Sequence, residues 1–296
     1  MRLLCTLLVA LAASISNASA QDLGAGSLSR RELLAAAFPD WKPALGKDGK
    51  PVATMIDAIA MPSVHWPWID DNFDSGSDDD ATTVQVVPMN VTRLDETHAV
   101  LTTWMLPIRA DVEAACDSYY CHYALGTYFF TLKDARWHLS HRVDVASNTF
   151  GSHAPKARVE AWPGKGFVLG ASHNYCQGGY CVEHLTLLGL APDQVLFEFQ
   201  SGVSQSGGGI QPIDCSDMLD PSFRLPEEAP TSLECNEAHG KWRIDGEAIR
   251  LDFEETSRSA SDGILQPVTE ANFFARLVPK DGKLVLVGGR LGDYGI

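Results

Sequence analysis

Two hexapeptides sixty residues apart carry the residue types best suited to chemistry. They are Cys116-Asp117-Ser118-Tyr119-Tyr120-Cys121 and Cys176-Gln177-Gly178-Gly179-Tyr180-Cys181, both of the form C-x3-Y-C. His122 directly follows the first copy, and two thiols followed by a histidine form a widened variant of the c-type haem attachment site. In such a site thioethers hold the porphyrin and the imidazole ligates iron. The second copy ends Cys181-Val182 and lacks that ligand. The repeat therefore reads as a pair of structural staples, and no cofactor is expected.

Histidines recur at His122, His138, His141, His153, His173 and His184. A zinc site needs three or four ligands converging at bonding distance. The chain has no H-E-x-x-H or paired C-x2-C motif, so these read as half-buried strand or loop residues and no metal site is assigned. A grouping of His173, Glu183 and His184 around one pocket would point to an enzyme. Gly202-Val203-Ser204-Gln205-Ser206 approaches the G-x-S-x-G nucleophile elbow but has serine in place of the last glycine, and it leads into a glycine run instead of a helix. Carboxylate pairs such as Glu254 with Glu255 have no spacing that would assign acid and base roles.

Tyr119, Tyr120, Tyr123, Tyr175 and Tyr180 cluster around the two motifs. Tyrosine offers contact area at low entropic cost and favours recognition surfaces. With His173 and His184 they form the candidate binding set, and packing over the disulfides is the alternative. Asp70–Asp80 holds six aspartates in eleven residues. A calcium loop would use such oxygens, but Gly76 and Ala81 fall out of EF-hand register, so a solvated acidic loop is the better reading.

The elements that must position these residues begin after a leader. Met1–Ala20 has one basic residue, an apolar run and small residues ending Ala18-Ser19-Ala20, the order of a secretory signal cut before Gln21. The expected compartment is secreted or periplasmic, with no membrane span. Cys5 leaves with the signal. That leaves Cys116, Cys121, Cys176, Cys181, Cys215 and Cys235, an even set for an oxidising compartment. Spacing suggests Cys116 with Cys121, Cys176 with Cys181, and Cys215 with Cys235; pairing between the two motif copies is the competitor. The net charge of −15 disfavours nucleic acid as a partner.

Ser29-Arg30-Arg31-Glu32 is a capping-box sequence, and Leu33, Leu34, Ala37 and Phe38 make a helical stripe stopped by Pro39. Asp40 to Pro67 is irregular apart from a strand near Val52 to Ile59. From Thr82 the chain turns to short β runs. Hairpins are expected around Lys133–Arg136, Ala191–Gln194, Asp245-Gly246 and Asp281-Gly282. Ser201 to Pro230 reads as a long loop closed by Cys215 and Cys235. The two motif-led hairpins align, which suggests duplicated β units.

The resulting expectation is an all-β chain of antiparallel hairpin repeats with one short N-terminal helix. It is either a small, irregular propeller-like array or a two-sheet β-sandwich. Its parts are a signal at residues 1–20, a helix and irregular acidic segment at 21–80, and a disulfide-bonded β domain at 81–296. The leading functional expectation is an exported, non-catalytic binding or inhibitory module for a protein or glycan. A hydrolase acting on an envelope or extracellular polymer is the alternative.

Overall fold

β-branched and aromatic runs separated by tight polar turns have one way to satisfy their backbone, antiparallel ladders, and these dominate the computed structural model of the chain. The structure describes residues 24–39, 42–45, 51–61, 82–109, 114–115, 122–150, 155–177, 180–207, 213–230 and 232–294. Helix α1 (Arg30–Ala37) precedes a first sheet of β1 (Lys42–Leu45), β2 (Pro51–Met61), β3 (Thr82–Arg93), β4 (His98–Arg109), β5 (Ala114–Ala115), β6 (His122–Lys133) and β7 (Arg136–Phe150). Its order is β1-β2-β3-β4-β6-β7, with β5 on β4.

The second sheet holds β8 (Lys156–Trp162), β9 (Gly166–Gln177), β10 (Tyr180–Ala191), β11 (Gln194–Ser206), β12 (Ser232–Asp245), β13 (Ala248–Ser261), β14 (Ile264–Leu265), β15 (Thr269–Lys280) and β16 (Lys283–Gly289). A one-turn helix, α2 (Cys215–Leu219), interrupts the passage from β11 to β12. The sheet runs β12-β13-β15-β16-β11-β10-β9-β8, with β14 on β13, and β12 also returns to pair with β11 at Ser204–His239 and Gln205–Ala238. The sheet thus curls back on itself.

Two sheets packed face to face make this a sandwich-like fold, and among the described residues no radial blades form. Three apolar layers hold it together. Leu33, Leu34 and Ala37 of the helix and Phe38 just after it cover Ala99, Leu101, Tyr128 and Phe130 on the outer face of the first sheet. Its inner face sends Val100, Tyr123, Leu125 and Phe129 against Leu169, Ala171, Leu188 and Leu190 of the second. The curl of the second sheet closes over Leu185, Leu187, Phe197, Trp242, Leu251 and Phe253. Strands covered on both faces need apolar side chains at every position, so Tyr128-Phe129-Phe130 and Leu185–Leu190 lack the polar alternation of a half-exposed strand. The duplication in the sequence appears as one hairpin in each sheet, β6–β7 and β10–β11, meeting across the middle layer.

Half of the capping box forms. Ser29 Oγ accepts from the Glu32 amide at 3.2 Å, but the Glu32 carboxylate accepts from the amide (2.8 Å) and hydroxyl (3.0 Å) of Ser27 instead of from the Ser29 amide. Those Ser27 bonds hold the Glu32 carboxyl below its ordinary pKa. Arg142 latches the helix down by donating to the Ala37 carbonyl at 3.2 Å. Its guanidinium lies over Phe38 and is paired at 2.6 Å with Asp144, which also accepts from the Tyr128 hydroxyl.

Two turns are tighter than the sequence suggested, at Lys133–Arg136 and at Ala191–Gln194, where Ala191 pairs with Gln194, and a third is displaced. Lys133 pairs with Arg136, so that hairpin turns on Asp134 (φ 49°) and Ala135 (φ 61°) alone. Asp245 pairs with Ala248, which shifts the turn expected at Asp245-Gly246 by one residue to Gly246-Glu247 without changing its length. Alanine pays a steric penalty in the left-handed region that glycine does not. Ala135→Gly is therefore expected to raise the unfolding free energy by about 0.5 kcal/mol, the strain relieved outweighing the added chain entropy. Urea unfolding checks the sign, and destabilisation would contradict it.

Ser201–Pro230 is not one long loop. β11 continues to Ser206, with a shift in register near Gly202, and α2 starts at Cys215 behind the cap of Asp214. Strand continuation here depends on pairing with β10 and β12, partners distant in sequence. Among the described residues two disulfides form. Cys176–Cys181 links directly paired residues of β9 and β10, and Cys215–Cys235 ties α2 to β12 over a small core of Ile213, Met218, Leu233 and Ala260. Cys116, Cys121 and the acidic run Asp70–Asp80 lie outside the described residues. Among the described residues no helix is long and apolar enough to cross a membrane.

Candidate binding cleft

The residues singled out in the sequence separate onto different surfaces. Tyr119 and Tyr120 lie outside the described residues. Tyr123 is wholly buried between the sheets, so in the folded chain it fills space instead of presenting a surface. Its ring stands edge-on to Trp104 at 5.9 Å and to His173 at 5.5 Å, and His173 stacks on His184 at 5.3 Å. Tyr123 comes from the first sheet and both histidines from a cross-strand pair in the second, so this ring column spans the middle layer. Burial, followed by the neighbouring His184, lowers the His173 pKa to about 3, and burial lowers that of His184. Both imidazoles are neutral at ordinary pH. Tyr175 and Tyr180 are half-buried beside the Cys176–Cys181 bond, and burial together with Glu234 raises the pKa of the Tyr180 phenol.

Glu183 does not join the histidines. Successive side chains of a strand point to opposite faces, and while His184 enters the ring column, Glu183 enters a cleft on the other side of β10. This cleft, of about 280 Å³, lies between β8–β10 and β12. Leu185 and Val203 give it an apolar base, Lys156 and Arg158 stand on the β8 lip, and Lys241 and Trp242 stand on the β12 lip.

The cleft depends on a glycine. A Cβ on Gly170 would lie 2.4 Å from the Trp242 ring, so the indole seats only over a residue without one. Arg158 completes the seat, its guanidinium 4.2 Å from the ring centroid and donating to the Trp242 carbonyl. Lys156, Ser172, Glu183 and Lys241 make no hydrogen bond or ion pair among the described residues, and neither does the indole N–H of Trp242. Trp242 is only 7% exposed. Lys156 and Lys241 are exposed and Ser172 and Glu183 half-buried, so these groups meet solvent and stand open to a ligand that enters the cleft.

Sequence reading passed over Lys156, Arg158, Ser172, Lys241 and Trp242. The available signal was the alternation Lys156-x-Arg158, which puts both bases on one strand face. Elsewhere, Ser204 Oγ donates to the Ala238 carbonyl at 2.6 Å and sits 3.1 Å from Nδ1 of the exposed His239. Ser204 belongs to a regular strand, not a strained turn, so the elbow geometry of a serine nucleophile is not what this segment forms. Among the described residues no three His, Cys, Asp or Glu side chains converge to hold a metal ion. Comparison with protein-family models, with curated proteins and with solved structures finds no match to this chain.

Proposed function

We propose that this chain is an exported binding module that captures an anionic group of a partner in the cleft between β8–β10 and β12. The carrying observation is the convergence of Lys156, Lys241, Ser172, Glu183 and the Trp242 indole N–H on one cleft, none with a partner among the described residues. Arg158 is paired with Glu160 at 3.3 Å, but Lys156 and Lys241 have no such pair among the described residues and line the site beside Glu183, so in a chain of net charge −15 the cleft offers anions a local attraction. Export is supported by the leader-like Met1–Ala20 and by the two disulfides, bonds that persist in oxidising compartments.

The test is retention of the oxidised protein on immobilised poly-L-glutamate and on polygalacturonate, with neutral dextran as blank. Lys156→Glu combined with Lys241→Glu is expected to weaken retention on at least one polyanion by more than tenfold. The melting temperature should hold, since both side chains are exposed and make no internal bond. Equal retention of wild type and variant would count against the cleft as the site.

A further inference from the structure

We infer that the ligand of this cleft is an extended acidic peptide, taken up as a strand between β8 and β12; this rests on the anion-binding reading above. Among the described residues β8 ends the order of its sheet and ladders only to β9, through Lys156–Trp162. β12 ladders to β13 along its whole length, but on its other edge only Ala238 and His239 meet β11. From Gly240 onward that second edge has no ladder partner among the described residues and faces β8. Side chains bridge the gap where backbone does not. Arg158 donates to the Trp242 carbonyl, and the Trp162 indole donates to the Gly246 carbonyl at 3.1 Å.

Two strand edges bordering one cleft form a template for a third strand, whose main chain supplies affinity and whose alternate side chains supply selectivity. Lys156 and Lys241 select carboxylates on the strand. Glu183 and Ser172 accept from its amides or from hydroxyls on the alternate residues. The same cleft suits a saccharide poorly. Among the described residues Trp242 is the one aromatic lining it, and that ring lies over Gly170, against Arg158 and 7% exposed, with no open face on which a pyranose could stack. Arg158 donates to the Trp242 carbonyl and is paired with Glu160 at 3.3 Å, so the preference for acidic sequences rests chiefly on Lys156 and Lys241.

The experiment uses the oxidised protein and three probes, followed by calorimetry and by amide hydrogen exchange. They are acetyl-(Glu-Thr)4-amide, the same peptide N-methylated at every threonine, and an oligogalacturonate of equal charge. The parent peptide is expected to bind and to slow exchange in β8 and at Gly240–Trp242. N-methylation, which keeps the charge and removes amide donors, is expected to weaken binding by more than tenfold. Equal binding of the methylated peptide, or binding of the parent without added protection at either edge, would overturn strand addition while leaving an anion-binding cleft. Preferential binding of the oligogalacturonate would replace the peptide with a glycan. Failure of all three probes would remove this inference and the anionic-ligand reading together.

Discussion

Replacing Cys215 and Cys235 together by alanine lowers the unfolding free energy by about 3 kcal/mol, and the same change at Cys176 and Cys181 by about 2 kcal/mol. The order follows from the loops that the bonds close. A link across a separation of 20 residues removes more freedom from the unfolded chain than one across 5. Packing reinforces it. Cys215 and Cys235 are 5% and 0% exposed within the core of Ile213, Met218 and Leu233, whereas Cys176 and Cys181 are half-buried at the end of a hairpin whose ladder already holds them together. Without the longer bond, α2 is held to the sheet chiefly by that small core and by Arg258, which donates to the carbonyls of Met218 (3.0 Å) and Asp220 (2.8 Å). Urea titration of the two double variants beside wild type measures the difference. A larger loss at Cys176 and Cys181 would contradict the argument.

The sequence exposed whatever was decided locally. The helix was legible because Leu33, Leu34, Ala37 and Phe38 keep a helical period behind a capping serine, and all four are buried. Asp281-Gly282 turned where expected because both residues accept positive φ, at 52° and 76°. The same signal at Asp262-Gly263, which joins β13 to β14, was present and not read. The hairpin at Lys133–Arg136 was legible, but Ala135 concealed how tight its turn is, because alanine seldom takes that backbone region.

The site was less legible, because its parts meet only through the curl of the second sheet. Lys156 and Lys241 stand 85 positions apart in the chain and become the two lips of one cleft once β12 has returned to β11. No local period announces that return. The histidines were conspicuous for their spacing, yet strand alternation put His184 in the middle layer and its neighbour Glu183 in the cleft, so adjacency in the sequence was the reverse of proximity in space.

The same alternation makes the chain acid-sensitive above the range in which carboxylates titrate. His173 is 5% exposed, and its pKa of about 3 lies far below the ordinary 6.5 that it regains on unfolding. The folded state therefore holds this imidazole neutral while the unfolded state takes up a proton, and stability falls as pH drops from 6.5 toward 3. Between pH 6.5 and 4.5 this one residue is expected to remove about 2 kcal/mol, and His184, shifted in the same direction by burial, adds to the loss. The carboxylates with lowered pKa values act further down, Asp95 for example near 2, so the histidines dominate this window. His173→Gln keeps a polar side chain of similar size and removes the titration. It is expected to be less stable than wild type at pH 7.5, through lost ring contacts with Tyr123 and His184, but to lose clearly less stability between pH 6.5 and 4.5. Parallel slopes for the two proteins across that window would mean that His173 is not held neutral by its burial between the sheets. A flattened slope would tie the acid response to the layer in which the two motif-led hairpins meet.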